Sequence, residues 1–235
     1  MIRKSELHKL LYFDLETISQ FSSLDELKEY NPRLYECWKK REDYYRKSYS
    51  DLKDLDSNEI YMDKSPLEPE FGRIVCASFG VLEDNNEKRF ISFCSDNEIE
   101  ILESCKKILI NTEHKGFKMC GHNVKSFDVP YLGKRMIYNK ITPPSSLMVS
   151  NKKPWEINIL DTTELFSFGN HIQGKYLGLE LLSCSLGVES PKVEMEGSKV
   201  NSTYWGEKDL EKIKRYCELD VDSVMEVLNS VSIDE

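Results

Sequence analysis

A mixed α/β fold is predicted by three features of the sequence. An apolar run near the start, Leu10-Leu11-Tyr12-Phe13, leads into Asp14-Leu15-Glu16-Thr17, a strand-like segment with two acids at its end. Further strand-like runs follow early in the chain, whereas helical periodicity dominates late. Between them short apolar runs alternate with helical stretches, the arrangement that builds a sheet covered by helices.

Each element has its own signal. After the first strand, Arg73 to Leu82 and Lys88 to Cys94 read as two strands around the turn Glu83-Asp84-Asn85-Asn86. Glu98 to Ile110 reads as a helix, with Ile99, Leu102 and Cys105 at helical spacing. Phe117 to Cys120 reads as a short strand, and Val129 to Tyr138 as a helix opened by Pro130, since proline is tolerated in a first turn. Ile157 to Leu160 is a further short strand leading into Asp161-Thr162-Thr163, and Leu177 to Leu186 a helix ended by Gly187. From Glu207 onward Leu210, Ile213, Cys217, Val221, Val224 and Leu228 recur at spacings of three and four, a long amphipathic helix.

Residues 18–67 read as a helical insertion within one domain spanning residues 1–235. Charges from Asp25 to Asp56 are dense and nearly balanced, nine acidic against eight basic. Ser23-x-x-Glu26 resembles a capping box, and Pro32 separates two helices, the second carrying Tyr35, Trp38, Tyr45 and Tyr49. The favoured expectation is that these aromatics pack onto the sheet. The alternatives are a cap over a site, with Trp38 or Tyr45 stacking on bases, or a docking surface for a replication partner.

The acids carry the chemistry. Asp14 and Glu16 are two apart on a strand, so both carboxylates point to one face, where their repulsion calls for a divalent cation. Asp220 falls on or beside the apolar stripe of the last helix, and Tyr216 lies one turn before it on the same side. Asn123 and Asp128 follow the Phe117 strand. Taken singly, each has a plainer role: a strand end for Asp14-x-Glu16, a turn for Asn123, a helix cap for Asp128, packing for Tyr216. A metal site explains them together.

In this order, Asp14-x-Glu16, Asn123-x-x-x-Phe127-Asp128 and Tyr216-x-x-x-Asp220 resemble the three motifs of DEDD-type 3′→5′ exonucleases of the tyrosine-bearing subclass. The resemblance extends to a stand-alone family related to the exonuclease domain of family B DNA polymerases. It runs through Pro69-Glu70-Phe71-Gly72-Arg73-Ile74-Val75, Gly197-Ser198-x-Val200 and Tyr216-Cys217-Glu218-x-Asp220-Val221, and covers nearly the whole chain outside the insertion. It implies a ribonuclease H-like exonuclease fold, with a central mixed sheet and Asp14 and Glu16 on a central strand.

The resemblance also implies the roles. Asp14 would bridge two cations, Mg²⁺ or Mn²⁺, about 3.5–4 Å apart. Glu16 and Asp220 would complete the site of the ion that activates water, and Asp128 would hold the second ion. Tyr216 would orient the attacking water, because a phenol with a pKa of about 10 is a poor base at neutral pH. Asn123 and Phe127 would line the path of the 3′-terminal nucleotide, with Leu15, Thr17, Lys125 and Lys192 as further substrate contacts. The substrate implied is the 3′ end of single-stranded DNA, released as nucleoside 5′-monophosphates. An RNA exonuclease of the same fold and a non-catalytic nucleic-acid-binding module are the rival readings.

Composition agrees with this class. The net charge is −9, yet Lys115 to Lys153 holds eight basic residues against Asp128 alone, about +7, so a basic surface is expected beside an acidic site. Seven cysteines, with no CxxC pair or His/Cys cluster, point to reduced thiols in a cytoplasmic setting and to no zinc site. With no signal peptide or long apolar run, a membrane partner is not expected. A role in replication or repair would have a polymerase or replication partner acting in trans.

Overall fold

The computed structural model describes residues 2–169, 177–188 and 195–234. Five strands, β1 (Leu10–Ser19), β2 (Gly72–Leu82), β3 (Lys88–Cys94), β4 (Lys118–Gly121) and β5 (Ile159–Asp161), form one sheet in the order β3-β2-β1-β4-β5. β1 runs antiparallel to β2 and parallel to β4, so the sheet is mixed and β1 is its centre. The helices are α1 (Lys4–Leu7), α2 (Leu24–Tyr30), α3 (Pro32–Ser48), α4 (Ser57–Lys64), α5 (Glu98–His114), α6 (Asp128–Tyr138), α7 (Thr162–Ser167), α8 (Leu179–Leu186), α9 (Val200–Ser202) and α10 (Leu210–Val231).

Alternation along β1 divides the core. Leu11, Phe13 and Leu15 enter a cluster built with α5 and α6, where Phe13 stacks on Phe79 at 4.8 Å. Leu10 and Tyr12 face the other way, against Val221, Val224, Met225 and Leu228 of α10. Asp14 and Glu16 share the parity of Leu10 and Tyr12 and so turn toward α10.

Two glycines permit the close approaches this needs. A Cβ at Gly80 would lie 2.8 Å from Val221 Cγ1, so α10 rests almost on the backbone of β2. A Cβ at Gly121 would lie 2.7 Å from the Phe13 carbonyl oxygen, where β4 meets β1.

The expected elements are present, with shifts that have local causes. β5 begins at Ile159 rather than Ile157, and α5 continues to His114. The last helix starts at Leu210 rather than Glu207. Thr203–Glu207 forms a π-helical turn, Lys208 takes a left-handed φ of 56°, and the Asp209 side chain then caps the new helix by accepting from Lys212 N.

The insertion is helical, and Pro32 opens its second helix at the first position. Two expectations fail there. Its aromatics do not pack onto the sheet. Trp38, Tyr45, Tyr61 and Phe71 form a separate cluster with Leu27, Leu52 and Ile60, and Trp38 contacts the rings of Tyr61 and Phe71 edge-on. Nor can Trp38 or Tyr45 stack on bases, because they are 0% and 8% exposed. A third helix not expected from the sequence, α4, supplies Ile60 and Tyr61 to the cluster.

Replacing Gly121 by Ala is expected to lower stability by about 1–3 kcal/mol, the usual cost of overpacking a tight site. The urea midpoint measures it, and an unchanged midpoint would mean that β4 can retreat from β1.

Candidate active site

The pairing of β1 with β4 ends at Tyr12, while its pairing with β2 continues to Ser19. Beyond Tyr12 the β4 side of β1 therefore carries backbone groups without a strand partner. Asp128, at the start of α6, meets this need: its Oδ1 accepts from Leu15 N at 3.1 Å. The same bond places the Asp128 carboxylate beside the Asp14-Leu15-Glu16 segment. A cleft of about 410 Å³ opens there.

Asp14, Glu16, Asp128, Tyr216 and Asp220 all line this cleft, as do Leu15, Thr17, Asn123 and Phe127. Tyr216 and Asp220 come from α10, and the phenol is hydrogen-bonded to the Asp220 carboxylate. No Lys or Arg is found among the described lining residues, although five of them are acidic.

This crowding without a counter-charge shifts the titrations. Desolvation in the cleft, then the charges of Asp220 and Asp128, hold the Asp14 carboxyl well above the usual range, against hydrogen bonds from Cys217 and the Leu15 backbone. Glu16 is raised by burial and by Asp14, Asp220 and Asp128. Burial, opposed by backbone hydrogen bonds and reinforced by Asp161 and Asp220, pushes Asp128 up to about 8. Burial and the charges of Asp220, Glu16 and Asp14 raise the Tyr216 phenol, so it stays protonated. Carboxylates that oppose one another's ionisation, with no cation among the described lining residues, fit a divalent cation with oxygen ligands. Ligand atoms of Asp14, Glu16 and Cys217 lie within 4.8 Å of one another.

One expected contact is not brought to the cleft. The Lys125 ammonium pairs with Glu164 at 2.5 Å and does not line it. Lys192 lies outside the described residues. The basic stretch is also partly spent. Arg135 is not on the wet face of its helix but buried, clamped to Glu98 and donating to the Pro69 carbonyl at 2.9 Å. Lys134 pairs with Glu70 at 3.0 Å.

Other residues at the site were not expected as ligands or substrate contacts. Cys217 Sγ donates to Asp14 Oδ2 at 3.4 Å, and its one-residue offset from Tyr216 hid this behind an ordinary core position. Met62, Asp63, Pro66 and Leu67 form the wall supplied by the insertion, and Ser198 and Asn201 line the cleft as well. His122 also lines it. Burial lowers its pKa, and its ring nitrogens lie 2.8 Å from Thr162 Oγ1 and 2.7 Å from the Leu177 carbonyl.

Asp161 shapes the loop before α6. Its Oδ1 accepts from Asn123 N and Thr163 N, each at 2.9 Å, and its Oδ2 from Lys125 N at 2.9 Å. Asn123 takes a left-handed φ of 59°, which asparagine tolerates better than most residues. Its carbonyl then accepts from Ser126 N and Phe127 N, which closes the turn that delivers Phe127 and Asp128.

A family described as a predicted 3′–5′ exonuclease related to the exonuclease domain of PolB matches residues 65–227. The chain belongs to this family. The match begins near the end of the insertion and includes every cleft acid except Asp14, Glu16 and Asp63. Among solved structures, the family B DNA polymerase from the hyperthermophilic archaeon Pyrobaculum calidifontis is similar, with a TM-score of 0.56 at 14% identity. The similarity covers 94% of this chain and 24% of that one, so the chain spans about a quarter of the polymerase's length. The sheet and its flanking helices are thus of the ribonuclease H-like exonuclease type. No curated protein matches the chain. No helix among the described residues is long and apolar enough to cross a membrane.

Two outcomes are expected. Asp161→Asn leaves a backbone N–H facing an amide that cannot accept it, costing about 1–3 kcal/mol. Amide exchange should quicken at Asn123 and Lys125 and stay unchanged in α10; equal quickening in both would show a global effect. The second concerns pH. Asp128 ionises at about 8 in the folded protein against an ordinary 3.8, so between these values the native state holds more protons than the unfolded. Without divalent cations, stability should therefore fall as pH rises from about 4 to about 8. Melting in EDTA across that range checks it, and Asp128→Asn should flatten the slope.

Proposed function

We propose that the protein is a 3′→5′ exonuclease that removes nucleoside 5′-monophosphates from the 3′ end of single-stranded DNA. The observation that carries this reading is the meeting of four carboxylates and one phenol, Asp14, Glu16, Asp128, Asp220 and Tyr216, on one cleft with no lysine or arginine among its described lining residues. The chain is read as one exonuclease domain with a helical insertion. Any proofreading role is proposed to operate in trans with a polymerase or replication partner.

Two divalent cations, Mg²⁺ or Mn²⁺, would relieve the charge on the phosphate, lower the pKa of the attacking water and stabilise the leaving oxygen. Asp14 would hold both, Glu16 and Asp220 one, and Asp128 the other. Their raised proton affinities make occupancy compete with protonation, so activity would rise with pH through neutrality. Tyr216 stays protonated, as its raised pKa requires, and orients the water through its hydroxyl while Asp220 accepts its hydrogen bond. Cys217 fixes the Asp14 carboxylate by donating to it. Phe127 and Leu15 offer apolar surface to the terminal base or sugar, and Asn123 and Thr17 offer polar groups. The cleft, about 410 Å³, suits a terminal nucleotide rather than a duplex end.

Cleavage of 5′-labelled single-stranded DNA and RNA of one sequence, with Mg²⁺, Mn²⁺ or EDTA, tests the reading. A metal-dependent ladder shortening from the 3′ end is expected, and the faster substrate names the nucleic acid. Asp14→Ala and Asp220→Ala should each abolish it while leaving the fold intact; near-wild-type turnover in both would sink the assignment. Tyr216→Phe should slow cleavage by about 100–1,000-fold, the usual cost of losing one oriented hydrogen-bonding group. Metal affinity should be unchanged in that variant.

A further inference from the structure

The wall that the insertion gives the cleft continues outward onto an exposed aromatic and cationic face of α3. Leu67 lines the cleft and is 54% exposed. The next residue, Glu68, accepts from the Arg41 guanidinium and the Tyr45 hydroxyl. Arg41 lies over two rings, 5.1 Å from the centre of Tyr44 and 5.4 Å from that of Tyr45. The Tyr45 ring is in turn 6.1 Å from Tyr49, and Lys64, next to the cleft-lining Asp63, sits 5.8 Å from Tyr49. The row of rings is therefore joined to the cleft at both Glu68 and Lys64.

Its outer members are open to solvent: Tyr44 is 53% exposed and Tyr49 48%. Lys40 lies four residues before Tyr44 and Lys47 three after it, so both exposed lysines share its face. Helix α3 holds six basic residues (33, 39, 40, 41, 46, 47) against three acidic (36, 42, 43), a balance of +3. Setting aside the pairs Glu42 with Arg46, Glu36 with Lys39 and Glu68 with Arg41 leaves Arg33, Lys40 and Lys47 against Asp43, all exposed. Rings interleaved with cations, beside a cleft that admits one terminus, match the chemistry of a single strand: bases to stack and phosphates to neutralise. A strand whose last nucleotide fills the cleft must also emerge at its rim.

We propose that the single-stranded segment on the 5′ side of the terminal nucleotide lies along this face. Its bases stack on Tyr44 and Tyr49, and its phosphates lie against Lys40, Lys47 and Arg41. The proposal rests on reading the cleft as an exonuclease site that holds the 3′ end. Strand length then sets affinity, while the cleft alone sets the chemical step.

The test compares fluorescein-labelled dT4 and dT20 by anisotropy in EDTA, and metal-dependent hydrolysis of dT4. Wild type should bind dT20 at least tenfold more tightly than dT4. Tyr44→Ala with Tyr49→Ala should weaken dT20 binding about 10–100-fold, as expected for the loss of stacked bases. Lys40→Glu with Lys47→Glu should weaken it too and flatten its salt dependence. Turnover of dT4 should be unchanged in both pairs. Wild-type affinity for dT20 in both double variants would overturn the proposal, as would an equal loss for dT4 and dT20. If the tyrosine pair fails to fold, the lysine pair decides alone, since both lysines are solvent-exposed. Wild type that binds dT20 through this face yet never hydrolyses dT4 would overturn the exonuclease reading and leave the binding face standing.

Discussion

Carboxylate repulsion in a desolvated cleft is the constraint on which this structure turns. Asp14, Glu16 and Asp128 each resist ionisation, first because they are buried and then because of neighbouring carboxylates, Asp220 in all three. The fold holds them together by spending strong backbone interactions on the task. Leu15 N–H is fixed to Asp128, and Asp161 gathers the amides of the loop that leads to Asp128. On the other side, contact of α10 with β2 at Gly80 brings Tyr216 and Asp220 to β1. Such an arrangement is unfavourable for a bare protein and suited to one that binds cations, because binding energy offsets what folding leaves unpaid.

The same economy explains where the site lies. A central strand that outlasts its parallel neighbour leaves unpaired backbone at its carboxyl end. In open α/β sheets the crevice outside the strand ends is where ligands bind. Here that crevice is closed in by three unrelated pieces of chain: the loop before α6, the turn before α9, and the end of the insertion. The insertion is stabilised by its own aromatic cluster around Trp38, so it can contribute a wall without borrowing from the sheet core.

Basic residues tell a different story from the one their number suggests. The excess between Lys115 and Lys153 is partly consumed by ion pairs of Lys125, Lys134 and, above all, Arg135 with Glu98. Charge counted along the chain predicts a local potential only if the partners are distant in sequence as well as in space. Glu70, Glu98 and Glu164 are distant in sequence and near in space.

The sequence by itself determined the strands, the long terminal helix and the four carboxylates and tyrosine that meet in the cleft. These are legible because period-2 and period-3.6 patterns are local, and because carboxylates at apolar positions stand out against them. Leu15, Thr17, Asn123 and Phe127 were legible only through the resemblance, from their places within or beside its motifs. Only the tertiary structure decided what reaches the cleft from elsewhere. Cys217 looked like a core residue, Asp161 like the end of a strand, and Met62 and Leu67 like part of an insertion of uncertain purpose. It also decided that Lys125 is engaged by Glu164, and that Trp38 is buried while Tyr44 is not. Each of these depends on contacts between residues far apart in the chain, and side-chain period carries no information about such partners.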